Sequence, residues 1–275
     1  MTETSAWVPD GIDLERPSAA RLYDYLLGGA HNFAHDRELA ERFIKAQPNA
    51  REIARHNRSF LRRAVLFMIE RGVRQFLDLG SGIPTVGNVH EIAQAADPTA
   101  RVVYVDYEEV AYAHSTLMLA SNPLATIVQA DLTRPLDILD APETRGLLDL
   151  TAPVGLLMAG VFHFVPPAKD PARIVATYRD AVPPGSHLAL SQFTRDLMPA
   201  EMDRVVEVMK SSRDPMYPRT HAEITALFAG FDIEEPGVVP TALWHPDGGL
   251  DALDDLVDGD DPNRAGIYAG VGRKR

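Results

Sequence analysis

A chain of 275 residues, 45% apolar and without a cysteine, is long enough for one large α/β domain or a domain with an appendage, and it has no means of building disulfides or thiolate metal sites. Its net charge of −12, from 27 basic and 39 acidic residues, argues against a nucleic-acid backbone as the main partner, because phosphate binding leaves a basic footprint. No apolar run approaches the ~20 residues that cross a bilayer, and MTETSAWVPD lacks the basic-then-apolar order of a signal peptide, so the expected compartment is the cytoplasm, with no membrane partner.

Residues 1–72 read as a helical extension or lid ahead of a Rossmann-like domain over 73–275. RLYDYLLGGAHNF (21–33) carries Tyr23, Tyr25, His31 and Phe33, with Gly28-Gly29 as a hinge or C-cap. It reads either as a helix packing Tyr23, Leu26 and Leu27 on the domain, or as a cover over a ligand. Pro48-Asn49-Ala50-Arg51-Glu52 has the form of a capping box, with Asn49 as N-cap and Glu52 reaching back. Leu61, Val65, Met68 and Ile69 then recur at helical spacing, and Gly72 is placed to end that helix. Arg51, Arg55, Arg58, Arg62 and Arg63 form a partial basic stripe along it, read as a solvated face.

From Arg74 the rhythm changes. Short apolar runs stand at 75–79, 101–106, 125–131, 154–160 and 187–193, with helical patterns at 88–96, 107–120 and 170–182. Continuous apolar strands alternating with helices are what a parallel sheet covered on both faces requires, with right-handed crossovers. The acid-rich segment 247–261 reads as a solvated loop or short helix; its aspartates lack the spacing of a calcium loop, so no metal is expected. The last run, 265–274, is strand-like and is expected to return antiparallel at or near the sheet edge. The fold class is therefore α/β, a three-layer Rossmann-like sheet behind a helical segment.

The first strand, QFLDL, runs into Gly80-Ser81-Gly82. Glycines at a strand's carboxyl end let the backbone turn tightly and approach a ligand. The dinucleotide fingerprint wants a third glycine at Thr85; Pro84 also removes an N–H that a pyrophosphate uses. No Lys or Arg lies between Gln75 and Asp97, so the loop suits a ligand without phosphates. Asp106 ends the second strand, 26 residues after Gly80, close to the spacing at which a carboxylate takes ribose hydroxyls. Asp131 ends the third strand, placed to accept from a purine amine, and Asp78 lies inside the first. Three carboxylates repel a pyrophosphate and welcome a cation. S-adenosylmethionine, a phosphate-free adenosyl cation, meets these demands. A nicotinamide-dependent oxidoreductase shares the fold and Asp106 and stays as an alternative.

At these residues the chain resembles class I S-adenosylmethionine-dependent methyltransferases. RPSAARLYDYLLGGAHNFAHDRELA together with FLDLGSGIPTVGNVHE is similar to one bacterial family of them, over roughly residues 10–272. The resemblance implies a seven-stranded sheet with an antiparallel last strand. It places Gly80, Ser81 and Gly82 along the methionine and ribose of the cofactor, Asp106 on the ribose, Tyr107 beside the adenine, and Asp131 and Leu132 at the adenine edge. Ala159 and Gly160 then pass under the sulfonium. Asp78 completes the acidic set. Tyr23, Gly28, Gly29 and Asn32 are expected near the cofactor, and Arg58 is a candidate for its carboxylate, set against a plain helix residue. In AGVFHFVPP (159–167), His163 is the candidate base, set against a histidine packed in a turn. No Asn/Asp-Pro-Pro-aromatic motif follows the fourth strand, which with the acidic charge points to a small-molecule acceptor. A non-catalytic sensor of S-adenosylmethionine stays open, as does the oligomeric state.

Overall fold

In the computed structural model, residues 13, 16–84, 87–246 and 266–275 are described. The chain begins with three helices, α1 (Ala19–Leu26), α2 (Ala34–Ala46) and α3 (Ala50–Glu70). It continues through β1 (Gln75–Leu79), α4 (Val89–Ala96), β2 (Arg101–Asp106), α5 (Glu109–Leu119) and β3 (Ala125–Gln129). Then follow α6 (Pro135–Leu139), α7 (Pro142–Leu147), β4 (Gly155–Ala159), α8 (Pro171–Asp180) and β5 (His187–Phe193). The last elements are α9 (Pro199–Met209), α10 (His221–Ala226), β6 (Phe231–Ile233), β7 (Val239–Pro240) and β8 (Ile267–Lys274).

The strands form one sheet in the order β3-β2-β1-β4-β5-β8-β6, parallel except for β8, which runs antiparallel to both neighbours. Against the seven strands implied by the resemblance there is an eighth, the two-residue β7, which shares the outer edge of β8 with β6. The strands are apolar on both faces, and successive residues alternate between two cores. Leu77, Val103, Leu156 and Leu188 face a core completed by Ile138, Leu139, Ile174 and Tyr178. Phe76, Val102, Leu157 and Ala189 face the other, completed by Phe60, Val65 and Met68 of α3 and by Val89 and Ala93 of α4. Each large apolar side chain buried there contributes roughly 1.5–3 kcal/mol. This is the three-layer α/β arrangement.

The helical start needs two corrections. Asn49 is the N-cap of α3, but its side chain makes no capping bond. The arginine stripe is solvated only at Arg55 and Arg62. Arg63 is buried and donates to the carbonyls of Trp244 (2.9 Å) and Thr241 (2.7 Å). Arg51 donates to the carbonyls of Tyr25 and Leu26 at the end of α1, a favourable place for a cation. There Gly28, at φ +83°, closes a two-bond cap: Gly28 N–H donates to Tyr25 and Gly29 N–H to Asp24. The helices α1 and α2 share a third apolar cluster with α9, through Leu22, Leu26, Phe43, Met202 and Met209. Among the described residues no helix is long and apolar enough to cross a membrane. The acidic run 247–261 and Thr85 lie outside the described residues.

Candidate active site

At the carboxyl ends of the parallel strands lies a cavity of about 280 Å³, walled on the far side by α1, α3 and the segment after α9. Strand ends are where ligands sit in open α/β sheets. The first wall is the turn after β1. Gly80 and Ser81 both donate to the Val105 carbonyl of β2 (2.8 and 3.0 Å), which folds the turn back over the sheet. Gly80 has φ +76°, and a Cβ there would stand 2.3 Å from Val161 Cγ2, so conformation and space both demand glycine. Gly82 has φ +68° and open space where its Cβ would be. The Ser81 hydroxyl is buried and finds no partner.

Asp106, at the tip of β2, is held by two backbone donors: Gly82 N–H on Oδ2 (2.7 Å) and Glu108 N–H on Oδ1 (3.0 Å). Each oxygen keeps a further lone pair for a ligand hydroxyl. Burial raises its pKa, opposed by those two N–H groups. Asp78, buried within β1, is pushed up to about 7 by burial, against the pull of Arg58 and with the repulsion of Asp106. Arg58 reaches the cavity from α3 and donates to the Gly87 carbonyl (2.9 Å).

Leu132 and Asp131 line the cavity beyond β3. Burial would raise the Asp131 pKa, but Thr133 and Lys169 outweigh it and hold the carboxyl below its usual range. Asp131 Oδ2 is 3.1 Å from Lys169 Nζ, which also donates to the Thr133 hydroxyl. Tyr107 is partly exposed; its hydroxyl donates to Asp214, and the Arg213 guanidinium stands 5.5 Å from its ring centre.

After β4, Ala159 and Gly160 line the cavity floor. Gly160 has φ +72°, and a Cβ there would meet Asn57 Nδ2 at 2.8 Å. Asn57 in turn accepts from the Ser191 hydroxyl (2.5 Å) and donates to the Tyr23 hydroxyl (3.2 Å), which donates to the Ala54 carbonyl. Burial raises the Tyr23 pKa, against the pull of Arg58 and the Asn57 bond. His163 also lines the cavity. Burial, reinforced by the nearby Arg219 charge, drives its pKa down to about 3, and its Nδ1 meets no partner in the chain. It is a neutral imidazole at any physiological pH.

The cavity thus collects Tyr23, Arg58, Asp78, Gly80, Ser81, Gly82, Asp106, Tyr107, Asp131, Leu132, Ala159, Gly160 and His163. Gly28, Gly29 and Asn32 lie outside its lining; Asn32 is tied to Asp24 (2.8 Å) and to the Gly29 carbonyl in the loop after α1. Sequence reasoning missed Arg21, which is fully buried and bridges Asp36 (2.8 Å) to Glu108 (2.6 Å), fastening α1 to the loop that follows Asp106. It also missed Lys169, Asn57 and Arg219. Arg219 donates to the Phe162 and Val165 carbonyls (2.8 and 2.7 Å) and pins the turn that carries His163. Arg21 and Asn57 stood in stretches already singled out, Arg21 as the first residue of 21–33 and Asn57 one residue before Arg58.

A parallel sheet with one antiparallel strand beside β5, a glycine turn after β1 and an acid at the tip of β2 defines a class I methyltransferase. The chain belongs to the S-adenosyl methyltransferase family, whose model matches residues 5–275. It is similar to the crystal structure of a candidate methyltransferase from Thermobifida fusca, with 40% identity and a TM-score of 0.90, covering 98% of this chain and 100% of that one. A DUF574 family protein from Streptomyces avermitilis is similar at 40% identity and a TM-score of 0.90, covering 96% and 99%. The plantazolicin methyltransferase, solved with S-adenosylhomocysteine, shares the fold at 10% identity and a TM-score of 0.53, covering 93% and 96%. No curated protein sequence matches the chain. The protein is an S-adenosylmethionine-dependent methyltransferase, and the nicotinamide alternative falls away. The donor set fits the cofactor: carboxylates at two adjacent strand ends, a partnerless Ser81 hydroxyl and open space over Gly82.

Proposed function

We propose that the methyl acceptor is a small organic molecule bound in the same cavity as the cofactor, in the cytoplasm. In this reading Asp106 takes the ribose hydroxyls, Asp78 and Arg58 face the charged amino-acid end, Tyr107 and Leu132 flank the adenine, and α1 with α2 covers the site. S-adenosylmethionine would supply an activated methyl group, which an acceptor lone pair would take as the carbon–sulfur bonding pair leaves with sulfur, the acceptor giving up its proton to solvent. The protein's part is to align the two partners and exclude bulk water, and alignment alone is worth roughly 7–11 kcal/mol. His163, at a pKa of about 3, is a weak proton acceptor and suits a hydrogen-bonding role better than that of a base.

The observation that carries this is the cavity's reach and the engagement of its cations. The cavity runs from the acidic strand tips to the apolar cluster under α1 and α2, and the cations lining it are engaged within the chain rather than arrayed for a phosphate backbone. The test is incubation with methyl-labelled S-adenosylmethionine and a cell extract split into low-mass and macromolecular fractions. Label should enter the low-mass fraction. Label fixed in nucleic acid or protein would refute the proposal.

A further inference from the structure

Resting on that reading of the cavity, we infer that the acceptor is an uncharged aromatic molecule seated over the ends of β4 and β5 and the start of β8. The sheet order puts these three strand ends side by side, and because β8 is antiparallel its first residue lies at the same edge as the last residues of the others. The strand ends on the cofactor side carry Asp78 and Asp106. On this side they carry Ala159, Phe193 and Ile267, all lining the cavity. Two strand spacings of ~4.8 Å make this floor roughly 10 Å wide, the length of a two-ring molecule.

Charge excludes the ionic classes. Among the described residues, three cations line the cavity: Arg58, Lys169 and Arg213. Each is engaged elsewhere, with the Gly87 carbonyl, Asp131 and Glu109 respectively. A carboxylate or phosphate in the apolar half would meet only Arg219, already committed to the Phe162 and Val165 carbonyls, and a cationic acceptor would meet only Asp214, which already takes the Tyr107 hydroxyl and the Ala19 N–H.

Shape selects a flat ring. The rings of His163 and Phe193 meet edge to face at 4.9 Å, and His163 and Phe164 stand 4.2 Å apart. Such edges favour a further aromatic partner. Met209 and Met216, also lining the cavity, supply thioethers that adapt to a ring's outline. The turn that holds His163 and Phe164 is fixed by Arg219 and by Tyr217 N–H on the His163 carbonyl (2.6 Å), so the slot is preformed. Among the described residues, the His163 Nδ1 is a buried polar atom of this half that meets no partner. As a neutral imidazole it pairs with a hydroxyl or a ring nitrogen, not with an anion.

The test uses the whole chain saturated with S-adenosylhomocysteine, titrated by calorimetry with 2-naphthol, 2-naphthoate and 1-octanol. We expect 2-naphthol to bind at least about 10-fold more tightly than either of the others. Phe193→Ala and Phe164→Ala should each weaken 2-naphthol about 10-fold while changing S-adenosylhomocysteine affinity less than about twofold. Because affinity for S-adenosylhomocysteine is read in every variant, a misfolded variant declares itself and the other carries the test. Equal or tighter binding of 2-naphthoate or 1-octanol overturns the inference, as does binding of none of the three. Failure to bind S-adenosylhomocysteine itself would instead overturn the placement of the cofactor on which the inference rests.

Discussion

Replacing Gly80 and Gly82 by alanine, one at a time, separates two demands that a glycine turn makes on its residues. Both lie in the left-handed region, at φ +76° and +68°, where a side chain costs about 1–2 kcal/mol. Only at Gly80 does the new methyl also collide, 2.3 Å from Val161 Cγ2 and 2.9 Å from its Cβ. Val161 is held by the turn that follows β4, so relief means displacing packed side chains, an overpacking cost of about 1–3 kcal/mol. Gly80→Ala should therefore lose about 2–5 kcal/mol of stability and Gly82→Ala about 1–2. Urea denaturation of the two variants beside the unmodified chain measures both. At Gly82 the methyl enters the open space beside the cavity, so that variant should lose more affinity for S-adenosylhomocysteine than its small stability loss suggests. Destabilisation of the two variants equal to within ~0.5 kcal/mol would refute the reasoning, because it would mean that Val161 does not close on the turn.

Asp106→Ala removes a carboxylate that the Gly82 and Glu108 N–H groups aim into the cavity; loss of its charged hydrogen bonds should weaken S-adenosylhomocysteine about 30- to 1000-fold by calorimetry, and an unchanged affinity would exclude it from the ribose. Arg21→Met leaves Asp36 and Glu108 buried with no cation between them; the loss should be about 3–5 kcal/mol in urea denaturation, and a loss under ~1 kcal/mol would show that the network is not a unit.

What sequence reveals here depends on how local the cause is. The strands at 75–79, 101–106 and 187–193 appear with those bounds because each is a continuous apolar run, and burial on both faces needs nothing else to specify it. β6 escapes such reading: it has three residues, two of them exposed, and forms only because β8 offers a partner. The helix α9 carried a readable signal in Met202, Val205 and Met209 at helical spacing. Charge is the least local quantity. The absence of a cation between Gln75 and Asp97 says nothing of Arg58 or Lys169, which reach the cavity from α3 and from the loop before α8. Arg63 reads as solvated beside Arg62, yet it is buried because two carbonyls some 180 residues away receive it. The Arg21 bridge joins residues 15 and 87 positions distant, beyond any motif window. In the candidate site, accordingly, the acidic strand ends are legible, Arg58 is legible only as a candidate, and Lys169 is not legible at all.

The pairing of Asp78 with Arg58 leads to a prediction about protons. Asp78 has a pKa of about 7 in the free protein, because burial outweighs the attraction of Arg58, so at pH 7 it is about half protonated. The ammonium group of a bound S-adenosylhomocysteine, entering beside it, should lower that pKa by about 1–3 units, as a cation near a carboxylate does. Binding at pH 7 should then release about half a proton, rising to a maximum near pH 6 and vanishing by about pH 9. Affinity should climb with pH and level off above about 7, since the ionised carboxylate is the binding form. Stability of the free protein runs the other way. The folded state holds a proton on Asp78 that the unfolded chain has lost, so this group's contribution is fully present below its ordinary value of 3.8 and declines as pH rises through about 7. Calorimetry in phosphate and imidazole, whose ionisation enthalpies differ, counts the protons directly, and Asp78→Asn should abolish the exchange. Identical binding enthalpies in the two buffers at pH 6 and 7 would place the ligand's cation away from Asp78. The buried carboxylate would then be a strain that the fold carries without using it to hold the cofactor.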